Sequence, residues 1–184
     1  MDWCQEAKVS QRFNGITSDI IAAIGWTPLV RLNKIERNFK KQILVKQEFM
    51  NPAGSAKDRM AWYMVEEAEC QGLLAPGGTI IESSSGNTGA ALAMVAAVKG
   101  YRCLIVMSDK VSAEKRDLIK AYGAQIIMTS SSLPSSSPGH RRNLAKKLAQ
   151  DIPGAYYADQ NNNPANIAAH YYATGPEIWQ QPAG

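Results

Sequence analysis

The sequence has few of the features that mark a membrane protein, a secreted disulfide scaffold or a metal site. Its longest uncharged apolar run, residues 90–98, has nine residues, well short of the roughly 20 needed to span a bilayer. The first twelve residues, MDWCQEAKVSQR, contain an acid and no apolar core, unlike a secretory signal. Three widely spaced cysteines, Cys4, Cys70 and Cys103, predict neither a disulfide framework nor a zinc site.

The sequence also lacks a large excess of one charge sign. Twenty basic and 16 acidic side chains give a net charge of +4 over 184 residues. The basic pairs 40–41, 141–142 and 146–147 are scattered and lack interleaved aromatic residues. Such pairs are typical of solvated helix faces, so we expect small-molecule partners and neither nucleic acid nor membrane. These features together predict a cytoplasmic globular protein.

Short apolar runs alternate along the chain with segments of helical periodicity. Strands are expected at 42–49, 79–82, 103–107, 125–129 and 155–158. Helices are expected at 56–71, 89–99, 113–122 and 140–150, with a last helical stretch through residue 179. Regular alternation of this kind predicts an α/β fold, an open and mostly parallel sheet with helices on both faces.

One unusual turn places a lysine at the start of a predicted helix. In EFMNPAGSAKDRMAWYM (48–64), Ser55 holds the N-cap position, Asp58 follows at capping-box spacing, and Lys57 becomes the second helical residue. The positive end of a helix disfavours an ammonium, so an amine there loses its proton more easily, as a Schiff-base lysine must. From position alone, a solvent-exposed lysine with its stem along the surface is the favoured interpretation.

A second unusual turn, ESSSGNTGAALA (82–93), joins a predicted strand to a helix of small residues. Its amides, its hydroxyls and Asn87 can form a cradle for a carboxylate or phosphate, and a serine-rich helix cap explains them equally well. Dinucleotide and P-loop fingerprints are both absent from the sequence. Both turns are expected to follow strands of one sheet, so a reactive amine beside an anion cradle suggests amino-acid chemistry.

The segments NPAGSAKDR (51–59) and ESSSGNTG (82–89) closely resemble signatures of the pyridoxal-phosphate-dependent cysteine synthase and cystathionine β-synthase family, of fold type II. The similarity runs in order from IGWTPLVRLN (24–33) to DQNNNPANIAAHYYATGPEIW (159–179). It implies a two-lobed enzyme of which residues 1–184 form one incomplete catalytic domain. Residues 1–160 are mainly its N-terminal lobe, and 161–184 begin the second lobe. A homodimer is implied for the full-length protein.

The resemblance also implies a role for each site residue. Lys57 holds pyridoxal 5'-phosphate as an imine and, once freed by the substrate amine, removes the α-proton. Asn87 contacts the ring hydroxyl of the cofactor. The residues implied to bind the substrate carboxylate are Ser84, Ser85, Asn87, Thr88 and Gln160. A thiol or sulfide then replaces the β-substituent of serine or an activated serine, through an aminoacrylate.

The sequence features distinguish less clearly between the two candidate second substrates, homocysteine and sulfide. Residues 107–124 and 137–154 look more like cystathionine β-synthases, and cysteine synthases usually carry Gly-Met-Lys-Gly where this chain has a serine-rich loop. The first expectation is therefore serine plus homocysteine giving cystathionine, and the alternative is cysteine formation from O-acetylserine and sulfide. A serine or threonine dehydratase is disfavoured because Lys57 is followed by Asp-Arg-Met-Ala and not by Arg-Gly-Ala.

The chain departs from the family pattern at several positions. Ser84 replaces a usual threonine, Asn161 a usual aromatic residue and Ala53 a common glycine. The glycine-rich loop that grips the cofactor phosphate in the family does not occur before Gly184. Exposed apolar surface is therefore expected, and a non-catalytic truncated remnant of such an enzyme is the competing hypothesis.

Overall fold

The computed structural model describes residues 15–38 and 41–183. The strands within these ranges are β1 (Leu29–Arg31), β2 (Leu44–Lys46), β3 (Thr79–Ser83), β4 (Arg102–Ser108), β5 (Gln125–Thr129) and β6 (Ala155–Tyr157). The last four form a parallel sheet in the order β5-β4-β3-β6. The strand order changes direction at β3, because the chain continues to β4 and β5 on one side and returns to β6 on the other. Ligands of open α/β sheets bind at the carboxyl ends of strands beside such a change.

One helix precedes the parallel strands, three connect them and two follow the last one. They are α1 (Lys57–Cys70), α2 (Asn87–Lys99), α3 (Ala113–Ala121), α4 (Arg141–Asp151), α5 (Pro164–Ala169) and α6 (Gly175–Gln180), with a π-helical segment at His170–Thr174 between the last two. Short 3-10 turns occur at Ile21–Ala23, Glu36–Asn38, Glu48–Met50 and Gln181–Ala183. Helix α2 ends where Gly100 takes the left-handed conformation, with a φ of 76°.

Alternating side chains of the sheet enter two apolar clusters, one on each face. Ile80, Ile105 and Met107 pack with residues of α1, α2, α3 and α5. Ile81, Leu104 and Val106 pack on the opposite face with α4. This alternation is the period of two that a strand covered on both faces requires. The predicted parallel sheet with helices on both faces is therefore confirmed.

The strand expected at 42–49 is wrong in extent and in partner. Only Leu44–Lys46 is extended, and it pairs antiparallel with β1 in a separate two-stranded sheet. A 3-10 turn follows at Glu48–Met50, where the buried Asn51 accepts the N–H of Gly25 at 2.9 Å and donates to the carbonyl of Glu48. These side-chain bonds hold the backbone out of the extended form that its apolar pattern favours.

The cysteines and the exposed apolar groups bear on two further expectations. Cys103 is a free thiol whose burial raises its pKa to about 12, whereas Cys70 is disulfide-bonded, contrary to the prediction from cysteine spacing.

The exposed apolar surface that the sequence led us to expect is seen at Phe49, Tyr171 and Trp179. No helix within the described ranges is both long and apolar enough to cross a bilayer. The cytoplasmic location stays a prediction.

Candidate functional site

Lys57 is the first residue of α1 and lies at the start of the site. The Ser55 hydroxyl accepts the Lys57 N–H at 3.1 Å, but the N-cap of the helix is Ala56 and not Ser55 as predicted. Asp58 is buried, and its carboxylate accepts the N–H of Ala53. Burial raises the pKa of Asp58 to about 6. The helix begins one residue later than the sequence predicted, and two side chains fix the turn that leads into it.

The Lys57 side chain is half-buried and lines an open cleft. Within the described ranges its ammonium makes no hydrogen bond or ion pair. Its charge reaches His170 in the π-helical segment, where burial and then the Lys57 charge lower the pKa of the imidazole. The His170 Nδ1 lies 2.9 Å from the Thr174 hydroxyl.

The serine-rich turn after β3 is held by the hydroxyl of Ser84. Its oxygen accepts the N–H of Gly86 at 3.2 Å and the N–H of Gly89 at 3.0 Å. A Cβ at Gly89 would lie 3.0 Å from Ile119 Cδ1, so a larger residue would require α2 or Ile119 to shift by a few tenths of an ångström. Ser84 is buried, and its O–H hydrogen is still able to donate into the cleft. The cap alternative is therefore correct for Ser84, and it does not exclude ligand binding by the turn.

Gln160 follows β6 and is fixed by two groups from the β3 side. Its backbone N–H donates to the Glu82 carboxylate at 3.1 Å, and its side-chain oxygen accepts the hydroxyl of Thr88. Its side-chain Nε2 lies 3.4 Å from Glu82 Oε1, and Asn166 binds its carbonyl at 2.8 Å. The amide of Gln160 therefore has a defined orientation at the carboxyl ends of β3 and β6.

Sequence reasoning missed Glu82, whose side chain organises this corner. The residue is 1% exposed and also accepts the Ser83 N–H at 2.9 Å. Burial raises the pKa of its carboxyl to about 7, although hydrogen bonds from Gln160 and Ser83 favour the charged form. The sequence signal that could have identified Glu82 was an acidic residue at the last position of the predicted strand 79–82.

These elements converge on one cleft with a volume of about 360 Å³. The predicted site residues that line it are Lys57, Ser84, Ser85, Asn87, Thr88 and Gln160. The convergence is correct, but the expected reason is not, because Lys57 follows β2 of the separate antiparallel sheet and not a strand of the parallel sheet. Ser85 and Asn87 are exposed, and Thr88 is buried.

Four cationic side chains line the cleft, and among the described residues no carboxylate lines it. Besides Lys57 they are Lys115 of α3 and Arg141 and Arg142 at the start of α4. The sequence had suggested that Arg141 and Arg142 lie on a solvated helix face, which is wrong for Arg141. Its Nη1 donates to the hydroxyl of Ser83 at 3.0 Å. A cationic, polar cleft favours an anionic ligand.

A buried ion network fixes the first turn of α1 that carries Lys57. Arg59 is 2% exposed, and its guanidinium donates to Glu48 at 2.7 Å and to Glu177 of α6 at 2.6 and 2.8 Å. Lys46 pairs with Glu177 at 2.8 Å. Burial alone would raise the pKa of Glu177, but these hydrogen bonds hold it at about 2.

The fold and the cleft together define an α/β protein that presents a lysine amine beside a serine-rich turn. The chain belongs to the family of pyridoxal-phosphate-dependent enzymes, whose family model matches residues 20–183. A cystathionine β-synthase from Apis mellifera is 49% identical over 174 residues, 94% of this chain and 34% of that protein. A probable cysteine synthase from Bacillus subtilis is 47% identical over 89% of this chain and 51% of that protein.

Solved structures agree with this assignment. A hydrogen sulfide-producing enzyme from Fusobacterium nucleatum superposes with a TM-score of 0.84 and 39% identity, over 92% of this chain and 54% of that one. The chain spans about a third of the length of the cystathionine β-synthases that it matches, and about half that of the cysteine synthases.

The cleft fits the cofactor of this family on three observations. Lys57 presents an amine that is not engaged in an ion pair with any described residue. The amides and hydroxyls after β3 lie on the same cleft, next to Asn87. Its lining cations suit a molecule that carries a phosphate and binds amino-acid carboxylates. Lys57 would hold the cofactor through its amine, and Asn87 would meet the ring.

Proposed function

We propose that the protein to which this chain belongs catalyses β-replacement on L-serine or an activated serine. The observation that carries the proposal is the amine of Lys57, which is free of ion pairs to described residues and faces the β3 turn and Gln160 in one cationic cleft. When bound, pyridoxal phosphate supplies an electron sink for breaking bonds at the α-carbon of an amino acid. The proposal includes a division of the catalytic domain at residue 160, with residues 1–160 mainly in the N-terminal lobe and residues 161–184 at the start of the second lobe.

The residues of the chain supply binding and proton transfer. Lys57 Nζ holds the cofactor and, when free, takes the α-proton of the substrate, for which a neutral amine is needed. The substrate carboxylate binds the turn of Ser84, Ser85 and Thr88 together with Gln160. Because the α2 N-terminus carries partial positive charge, this carboxylate is further stabilised there.

The preferred substrates are serine and homocysteine, which give cystathionine. The carbon–oxygen bond at the β-carbon breaks, a carbon–sulfur bond forms, and the thiol proton leaves with the hydroxyl group as water. Cystathionine β-synthases such as the Apis mellifera enzyme support this choice. Cysteine formation from O-acetylserine and sulfide is the second candidate, since the Bacillus subtilis relative is nearly as similar.

Borohydride trapping tests the cofactor site of the chain directly. We expect purified protein incubated with pyridoxal phosphate to absorb in the visible region and, after reduction, to carry the label on Lys57. The label should disappear in Lys57→Ala. It should persist in Lys115→Ala, a matched control because Lys115 lines the same cleft but lies in α3. A label spread over surface lysines, or one insensitive to Lys57→Ala, would contradict the proposed site.

Adding L-serine then distinguishes a catalytic chain from a non-catalytic truncated remnant. If the labelled site forms and serine elicits the absorption band of a β-eliminated product, the described residues suffice for the first half of the reaction. If the site forms but serine produces no change, the truncated-remnant hypothesis is favoured for the isolated chain. Comparing homocysteine with sulfide as the second reactant distinguishes the two candidate functions.

A further inference from the structure

The proposed function assigns no individual contact to three of the four cations in the cleft. Lys115, Arg141 and Arg142 lie beside the turn after β3, and within the described ranges none of them forms an ion pair. Cations that face one another in a cleft without acidic partners repel each other, so a bound anion relieves that repulsion. The proposed α-carboxylate site already uses the turn and Gln160. The remaining cations therefore indicate a second anionic group.

Arg141 has the geometry of a guanidinium that is held in place with donors to spare. Its Nη1 donates to the Ser83 hydroxyl at 3.0 Å and lies 3.4 Å from the Ser83 carbonyl oxygen. Ser83 is buried at the end of β3, which makes the anchor rigid. The Nε and Nη2 groups of Arg141 make no hydrogen bond within the described ranges. A guanidinium in this state can bind a carboxylate through its free edge.

Lys115 contacts the other end of the same turn. A Cβ built on Gly86 would lie 3.0 Å from Lys115 Cδ and 3.4 Å from its Nζ, so the lysine side chain packs directly on this glycine. Arg141 at Ser83 and Lys115 at Gly86 thus bracket the turn that faces Lys57. Both side chains start from the first turns of their helices, α4 and α3, at the carboxyl edge of the sheet.

We propose that Arg141 and Lys115 bind the carboxylate of the second substrate and so select a thiol acid of the homocysteine class over free sulfide. The inference rests on the proposed function. A carboxylate held beside the turn places the thiol of a short amino acid in the same cleft as Lys57. Sulfide has no carboxylate and gains nothing from these cations.

Equilibrium binding tests the proposal without requiring turnover. L-methionine, which is S-methyl homocysteine, is the probe, and L-methioninol, which replaces the carboxylate by an alcohol, is its matched control. Thioethers do not exchange with the disulfide of Cys70. Titrations followed by NMR on the full chain should give weaker binding of methioninol. Arg141→Gln should raise the Kd for methionine about tenfold, because a charge-assisted pair is lost.

Control variants distinguish the second site from the first. Arg102→Gln changes the net charge equally, but Arg102 is the first residue of β4, at the amino ends of the strands and away from the cleft. This variant should leave the Kd for methionine unchanged. Asn87→Ala, in the proposed cofactor and α-carboxylate site, should raise the Kd for methionine less than Arg141→Gln does. Arg141→Lys should give an intermediate Kd, since it keeps the charge and loses the planar fork. Circular dichroism confirms that each variant is folded.

Three results would overturn the assignment. The first is equal binding of methionine and methioninol, and the second is an unchanged Kd in Arg141→Gln. The third is a larger Arg141→Gln effect with O-phospho-L-serine than with methionine, which would assign the anion to the leaving group of the first substrate. If Lys57 trapping succeeds while any of these is observed, the proposed function stands and this inference fails. If Lys57 trapping fails as well, both fail.

Discussion

The buried carboxyl of Glu82 should make the stability of the protein depend on pH in a measurable way. Burial raises its pKa from an ordinary value of 4.5 to about 7 in the folded state. The folded state therefore binds a proton more tightly than the unfolded chain does. The resulting stabilisation is fully present below pH 4.5 and is lost as the pH rises through 7.

The size of the effect follows from the two pKa values. Their difference of about 2.5 corresponds to about 3.4 kcal/mol at most. Between about pH 5 and pH 8, linkage gives a loss of about 2.5 kcal/mol from this one group. Other groups with shifted pKa values, such as Asp58 and His170, also contribute to the total pH dependence. A variant that changes only Glu82 is needed to isolate its share.

Glu82→Gln keeps the shape of the side chain and removes its titration. The amide oxygen can still accept the N–H of Ser83, but its NH2 group now faces the N–H of Gln160. This mismatch destabilises the variant by an amount that does not depend on pH. Urea unfolding of both proteins at pH 5 and pH 8 gives the comparison. Relative to the wild type, the variant should gain about 2.5 kcal/mol of stability from the lower to the higher pH.

The contributions of Asp58 and His170 cancel in this comparison, because both residues are present in both proteins. If the difference in free energy of unfolding between wild type and Glu82→Gln is the same at both pH values, the raised pKa is wrong. Serine binding measured across the same range shows whether the orientation of Gln160 depends on the charge of Glu82.

Two further substitutions test the scaffold around the cleft. Arg59→Ala should lower the free energy of unfolding in urea by about 3–5 kcal/mol, because Glu48 and Glu177 lose their buried partner. The control Arg59→Lys should lower it less. A loss below about 1 kcal/mol in Arg59→Ala would be too small for a buried network. Gly89→Ala should cost about 1–3 kcal/mol by the same assay, because its Cβ would lie 3.0 Å from Ile119 Cδ1. An unchanged stability would mean that α2 shifts freely.

The sequence predicted the parallel sheet well because its strands are buried on both faces and read as short apolar runs between helices. β5 was predicted at its observed bounds, Gln125–Thr129, and β3 and β4 to within one residue at each end. The failure at 42–49 has a different cause. Leu44 and Val45 form an apolar run, but both are exposed in a short antiparallel pair, and side-chain bonds from Asn51 end the extended conformation.

Sequence spacing predicted contacts within one turn of the cleft, whereas contacts between distant segments could not be predicted from spacing. Ser55 and Lys57 share one turn, so spacing placed the serine hydroxyl near the start of the helix, although one residue before the actual N-cap, Ala56. Arg141 lies 58 residues along the chain from its partner Ser83, and Gln160 lies 78 residues from Glu82. Contacts of this length are set by the strand order and leave no periodic trace in the sequence. Arg141, one member of a basic pair, was therefore mistaken for part of a solvated surface.

The cleft is assembled from the ends of several helices and strands, and buried polar side chains fix some of them. Asn51 and Arg59 hold the turn before Lys57, and Glu82 holds Gln160. Such anchors restrict the ligand-facing groups without filling the cleft, because their own atoms are buried behind it. Arg141 is the exception, since its anchor uses only one edge of the guanidinium and the other remains open to the cleft. An anchored cation with free donors is equipped to bind a ligand, and for that reason the second anion site is sought at Arg141 and not at the more exposed Arg142.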